Sequence, residues 1–331
     1  MRNPTAERSL TPPAAPREVP ATPSEAAARG YRAEADAPET LRAYRADLAC
    51  FRAWCAQEGR PAAVPAAPEA VGAYLAALAP RYRLATLRRR LAALARAHRT
   101  AGVRLDTGHP AIRETLRGIA RRHGAPQRRA AALATTEVRR LVAACRGDLA
   151  GLRDRALLLL GYAAALRRSE LAAVEREHLR FTADGLELLL PRSKGDAAGE
   201  GARVGVPRGQ KVETCPVRAV EAWLRTAAIR YGPVFCRVTR WGTVEQGRGL
   251  SGEGVRLVLR RRAAEAGVEG TWLEPVSPHG LRAGFVTQAT KAGLPDEAIM
   301  AHTRHKDAKT MRRYVRRARL LDDNPARKLG L

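Results

Sequence analysis

The chain has 331 residues and carries 59 Lys plus Arg against 33 Asp plus Glu, a formal net charge of +26. That length supports about two domains with sizeable cores. The charge excess sets aside an ordinary neutral metabolic enzyme and points to a polyanionic partner, nucleic acid first among them.

Only 6 of the basic residues are Lys and 53 are Arg. In a chain rich in Ala, Gly and Pro this reads as a coding bias, so part of the Arg count is mutational and each Lys stands out. The first is Lys194. The five Cys (Cys50, Cys55, Cys145, Cys215, Cys236) are odd in number and none is spaced C-x-x-C, which predicts free thiols in a reducing compartment. The N-terminus lacks the apolar core of a signal peptide. The longest apolar run, Ala156 to Leu166, is too short to span a bilayer. The expectation is a soluble, cytoplasmic protein.

In chain order, residues 1–23 are rich in Pro with Ala, Thr and Arg and are expected to be a disordered tail. Residues 24–126 read as a helical domain with 18 basic and 9 acidic side chains. Thr40 to Gln57 places Leu41, Tyr44, Leu48, Phe51 and Trp54 at three- and four-residue steps. Pro68 to Leu78, Leu84 to Ala101 and Ala111 to Arg122 are the other helices, the third with Leu84, Leu87, Leu91 and Leu94 on one stripe. Residues 127–134 read as a basic linker. Residues 135–331 form a second domain: helices at Thr136–Cys145 and Leu152–Ala164, a hairpin over Phe181–Leu190 turning at Ala183-Asp184-Gly185, and a short strand at Val204–Pro207. Helices follow near Pro216–Arg230, Gly254–Ala266, Pro278–Lys291, Pro295–Ala301 and Ala308–Arg317. The fold class is mainly α with a small antiparallel sheet, a four-helix N-terminal domain preceding a mixed α/β domain. Two basic domains on a basic linker could clamp a duplex.

Four motifs carry candidate chemistry, and each has a plainer reading beside it. Arg167 follows a long apolar helix, with Glu170 three residues on. It is either a guanidinium aimed at a phosphate or half of a helix-capping pair. In Pro278-His279-Gly280-Leu281-Arg282, His279 and Arg282 share one face of a first helical turn. They either meet a phosphate at the helix N-terminus or are a cap and a solvated Arg. Tyr314 lies among eight Lys or Arg between residues 302 and 319. Such a potential lowers a phenol's pKa and suits a nucleophile, whereas a lone Tyr more often packs a terminal helix. Lys194 sits on a Ser-Lys-Gly loop beside the hairpin, where a lysine either swings into a site or faces solvent.

Taken together, in this order, L-R-x-S-E-L, a hairpin Lys, H-x-x-R, and a His nine residues before a Tyr resemble the tyrosine recombinase (phage integrase) family across residues 130 to 320. The helical N-terminal domain is similar to that family's SAM-like core-binding domain. The resemblance implies a catalytic set of Arg167, Lys194, His279, Arg282, His305 and Tyr314, with Glu170 in support. His302 competes with His305, but only His305 has the nine-residue spacing. Two positions depart from the family, which usually has Gly where this chain has Ala165 and Arg304.

The implied activity is site-specific DNA recombination or integration, as of a mobile element, through a 3′-phosphotyrosine, with no metal, ATP or other cofactor. The implied partner is double-stranded DNA bearing recombination sites, engaged by a homo-tetramer that is monomeric when free. The Leu stripe at 84–94 turns the Arg face outward, which predicts DNA contacts from Arg81, Arg83, Arg88, Arg89, Arg90 and Arg96. Arg121, Arg122, Arg128 and Arg129 would track the backbone near the linker. Alternatives are a non-cleaving DNA-binding regulator on the same fold, a type IB topoisomerase, and a metal-dependent nuclease. The last needs an Asp/Glu cluster that the candidate residues do not supply.

Overall fold

The computed structural model describes residues 22–62, 64–191 and 200–305, with Asp307, Met311, Tyr314, Ala326 and Leu329. The chain clusters into two units, Met1–Ala125 and Pro126–Leu331. Most of the tail expected to be disordered, and the loop carrying Lys194, lie outside the described residues. The same holds for most of the helix expected at 308–317, where Met311 and Tyr314 are helical.

The first unit opens with a helix the sequence reading did not separate, α1 (Pro23–Glu34). The Thr22 hydroxyl accepts from the Glu25 N–H while the Glu25 carboxylate accepts from the Thr22 N–H, a reciprocal cap. No residue of α1 is buried. The core belongs to α2 (Pro38–Gln57), α3 (Pro68–Leu78), α4 (Leu84–Thr100) and α5 (Pro110–His123). Three of these start on Pro, whose missing N–H has no helical acceptor there anyway. Phe51, Trp54 and Tyr74 pack ring against ring with centroids 5.1 to 6.1 Å apart. Leu87, Leu91 and Leu94 bury the expected stripe, against Ile112 and Ile119. At Gly72 a Cβ would stand 2.4 Å from the Ala111 carbonyl oxygen, so α3 and α5 meet at a distance only glycine permits.

In the second unit the segment read as a linker is extended. The N–H groups of Arg129, Ala131 and Leu133 donate to the carbonyls of Leu273, Pro275 and Gly280 at 2.9, 3.1 and 3.1 Å. Next come α6 (Thr135–Ala143) and α7 (Leu149–Ala163), whose stretch Ala156–Leu160 is buried. Asp154 of α7, fully buried, pairs with Arg153, Arg261 and Arg262 at 2.7, 2.6 and 2.8 Å. After the short α8 (Arg168–Ala172), β1 (Leu179–Phe181), β2 (Gly185–Leu190) and β3 (Ala202–Pro207) form an antiparallel sheet in that order. The Thr182 N–H donates to the Gly185 carbonyl at 2.8 Å, closing the hairpin at the expected turn.

α9 (Pro216–Thr226) stops short of Arg230, because Ala228 turns left-handed at φ 51°. A second hairpin, β4 (Cys236–Val238) and β5 (Val244–Gly249), was not expected; β5 buries no residue and so shows no alternation. α10 (Gly252–Glu265), α11 (His279–Lys291) and α12 (Asp296–Thr303) complete the described elements. No helix among the described residues is long and apolar enough to cross a membrane.

Candidate active site

The site begins where α7 ends. Ala165 adopts φ 47°, a left-handed turn that costs a non-glycine residue about 1 kcal/mol. The turn buries Leu166 and makes Arg167 the N-cap of α8. The Arg167 N–H donates to Glu170 Oε2 at 2.8 Å and its Nη1 donates to Oε1 at 2.5 Å. The capping pair is therefore present, yet the Arg167 side chain stays 23% exposed, with guanidinium left for a ligand. The Glu170 side chain is only 2% exposed and also accepts from Arg304 Nη2 at 3.1 Å. Burial pushes its pKa up, but hydrogen bonds from Arg167 and the charges of Arg304 and Arg167 outweigh that and hold the carboxyl below its ordinary range.

α11 supplies the next pair. Cβ atoms at Gly280 and Gly284 would stand 2.3 and 1.9 Å from the carbonyl oxygens of Ala131 and Leu133. These glycines let the extended segment lie directly on the helix. His279 occupies the first helical position, and its Nε2 is 2.7 Å from the Tyr314 hydroxyl. Burial lowers the His279 pKa, and the charges of Arg282 and Arg167 lower it further. The imidazole is thus neutral near pH 7 and able to accept a proton.

Arg282 is 2% exposed. Its Nη1 donates to the Ala165 carbonyl at 2.7 Å, while Nη2 is buried with no partner among the described residues. Burial, then Arg167 and Arg304, pull its pKa down to about 10. It remains charged at neutral pH, and among the described residues no carboxylate pairs with it.

The third group follows α12. Thr303 is fully buried, and its hydroxyl donates to the Ile299 carbonyl at 2.6 Å. A hydroxyl has one hydrogen, so its 2.6 Å contact with His305 Nδ1 is an N–H donated by the ring. That leaves Nε2 as the open nitrogen of His305. The His305 and Tyr314 ring centroids are 6.2 Å apart. Burial and then the charges of Arg282, Arg167, His279 and Arg304 push the His305 pKa down to about 4. His302 is occupied otherwise: its Nε2 donates to the Ala163 carbonyl at 2.8 Å and its ring stacks on Phe285 at 4.7 Å. Beneath Tyr314 lie Met311, Val286, Ala289 and Ile299.

The structure thus draws Arg167, Glu170, His279, Arg282, His305 and Tyr314 into one electropositive cluster. Three guanidiniums, counting Arg304, face one carboxylate, beside two neutral imidazoles and a phenol. Such a cluster can hold an anion beside the phenol. Sequence reasoning assigned no role to Thr303 or Arg304. Arg304 was visible only as a departure from the expected glycine, and Thr303 left no signal.

The arginines expected to meet DNA divide. Arg81, Arg83, Arg88, Arg121, Arg122, Arg128 and Arg129 are exposed, although Arg128 Nε donates to the Trp272 carbonyl at 2.6 Å. Arg89 forms a two-pronged pair with Asp47 at 2.9 and 3.0 Å but is half exposed. Arg96 pairs with Asp36 at 2.9 Å. Arg90 is a correction: it is 6% exposed, stacks on Tyr82, and donates to Tyr74 Oη and Cys50 Sγ at 3.0 and 2.6 Å. It lies between Leu87 and Leu94 on the inward stripe and serves the core.

Residues 131–319 match the phage integrase family model. An integrase/recombinase XerD homolog of Selenomonas ruminantium is 35% identical over 294 residues, 87% of this chain and 84% of the relative. Tyrosine recombinase XerC of Syntrophus aciditrophicus is 29% identical over 168 residues, about half of each chain (51% and 50%). Two solved structures share the fold at 16% identity. XerH site-specific recombinase, in a post-cleavage complex with its palindromic difH substrate, has a TM-score of 0.60 over 85% of this chain and 77% of its own. A lambda integrase dimer bound to a COC′ core site has a TM-score of 0.58 over 87% and 74%.

Proposed function

The chain belongs to the phage integrase family, the tyrosine-type site-specific DNA recombinases, and from that premise we propose how its own residues divide the work. The substrate is duplex DNA carrying a recombination site. Tyr314 Oη attacks the scissile phosphorus, the P–O5′ bond breaks, and the strand is held as a 3′-phosphotyrosine. His279 Nε2 takes the phenol proton. Arg167 and Arg282 hold the nonbridging oxygens, and His305 joins them through Nε2 once the phosphate's negative charge favours its protonation. Lys194, carried over from the sequence resemblance, protonates the departing 5′-oxygen. The phosphotyrosine stores the bond energy, so the return attack by a partner strand's 5′-hydroxyl needs neither ATP nor a metal. A tetramer on two sites would exchange the strands; the relatives crystallised on DNA, among them a lambda integrase tetramer on a Holliday junction, support that reading. The exposed Arg81, Arg83, Arg88, Arg121, Arg122, Arg128 and Arg129 would follow phosphates.

The observation that carries the reading is the 2.7 Å contact between His279 Nε2 and the Tyr314 hydroxyl, beside a buried, unneutralised Arg282. It is tested with DNA from the region flanking the protein's own gene, in EDTA and without ATP. Wild type is expected to form a protease-sensitive covalent adduct, and Tyr314→Phe none. An adduct that survives Tyr314→Phe sinks the assignment. Tight binding without an adduct in either protein favours a non-cleaving regulator.

A further inference from the structure

α12 ends at Arg304, where φ is 58°. Glycine enters that region freely; an arginine stays there only if its surroundings hold it. The Arg304 side chain is 11% exposed and turns inward. Nη1 donates to the carbonyls of Ala164 and His302 at 3.3 and 2.9 Å. Nη2 donates to the Ala165 carbonyl at 3.4 Å and to Glu170 Oε2 at 3.1 Å.

Two of these acceptors are shared. Glu170 also receives Arg167, and the Ala165 carbonyl also receives Arg282 Nη1. The Arg304 carbonyl in turn lies 3.5 Å from Arg167 Nη2. One guanidinium therefore spans the two acceptors that orient Arg167 and Arg282. Two of the three left-handed non-glycine residues among the described residues, Ala165 and Arg304, meet in this contact. A third cation here also repels its two neighbours, a cost that a bound phosphate relieves. A side chain kept at a glycine position, against strain and repulsion, is best explained by what it braces.

We propose that Arg304 is a positioning residue for strand cleavage, bracing the Ala165 turn and the Glu170 carboxylate so that Arg167 and Arg282 grip one phosphate. The inference rests on the reading that those two arginines hold the scissile phosphate. Its mark is a loss of rate with binding retained.

The test compares wild type, Arg304→Gly, Arg304→Lys and Tyr314→Phe on a nicked duplex drawn from the DNA flanking the gene. Affinity, single-turnover adduct rate and melting temperature are measured for each. Arg304→Gly suits the backbone at φ 58°, and its melting temperature reports whether the fold is kept. The variant is expected to bind the duplex within about twofold of wild type and to cleave about tenfold more slowly, a change of about 1.4 kcal/mol. Arg304→Lys restores the charge without the fork and should recover part of the rate. Wild-type cleavage by Arg304→Gly overturns the proposal. So does a rate loss that tracks melting temperature with Arg304→Lys no better than Arg304→Gly. A crystal structure of Arg304→Gly with Arg167 and Arg282 unmoved overturns it without any DNA. An adduct that persists in Tyr314→Phe fails the underlying reading instead.

Discussion

Replacing Glu170 by glutamine removes the carboxylate on which Arg167 and Arg304 converge. Glutamine keeps the volume, and its carbonyl can still accept the Arg167 N–H that caps α8 at 2.8 Å. What disappears is charge. Breaking a buried pair by removing one partner costs about 3–5 kcal/mol. Arg167 is 23% exposed and can turn toward water, whereas Arg304 at 11% cannot readily do so. That discounts the expected loss to about 2–3 kcal/mol. Three guanidiniums against one carboxylate also become three against none, so sulfate should stabilise Glu170→Gln more than it stabilises wild type. The assay is urea unfolding followed through Trp223, which is fully buried in the second unit with Nε1 on the Val234 carbonyl at 2.7 Å. The sign with pH is fixed by the lowered Glu170 pKa. Its stabilisation is present above the ordinary value of 4.5 and is lost as pH falls through the folded-state value, so the gap to Glu170→Gln should close in acid. Equal urea midpoints for the two proteins at pH 7, or a gap indifferent to sulfate, would refute the account.

The depressed pKa values of His305, His279 and His302 act with one sign: the unfolded chain takes up protons near pH 6.5 that the folded chain refuses. Stability of the DNA-free protein should fall from pH 6.5 toward 4, with His305 contributing up to roughly 3 kcal/mol, and His305→Asn should flatten the melting curve against pH. Thr303→Val deprives His305 Nδ1 of its acceptor. Nitrogen NMR of the ring should then show mixed tautomers, while Thr303→Ser keeps a single one. Gly284→Ala drives a Cβ to 1.9 Å from the Leu133 carbonyl oxygen and should cost more than about 2 kcal/mol, whereas Gly30→Ala, with nothing within 4 Å, should be neutral or stabilising in a calorimetric melt. Arg90→Leu should destabilise the first unit without changing the salt dependence of DNA binding, whereas Arg88→Ala should lower that slope by about 1 and leave stability alone.

Much of this was legible in the linear chain. Helical patterning, with apolar residues at three- and four-residue steps, located α2 to α5, and the turn signal Ala183-Asp184-Gly185 located the β1–β2 hairpin. Spacing to Tyr314 chose His305 over His302, and the structure shows His302 engaged with Phe285 and Ala163. α1 escaped notice because it carries a cap but no buried stripe. The inward place of Arg90 follows from its position three residues after Leu87, although the run Arg88-Arg89-Arg90 reads by composition as a solvent-facing basic patch.

Caps, turns and periodicity are decided by atoms a few residues apart, so the sequence alone determined most of the helices, the first hairpin and the kinds of residue available for chemistry. The working state of those residues was decided elsewhere. Arg282 finds its acceptor 117 residues away, and Arg304 meets Glu170 across 134. Desolvation and neighbouring guanidinium charge at those meetings lower the pKa values of His279 and His305 and leave two guanidinium nitrogens, Arg282 Nη2 and Arg304 Nε, without a partner among the described residues. Desolvation and charge coupling depend on which surfaces close over a group, and that is known only once the chain has packed.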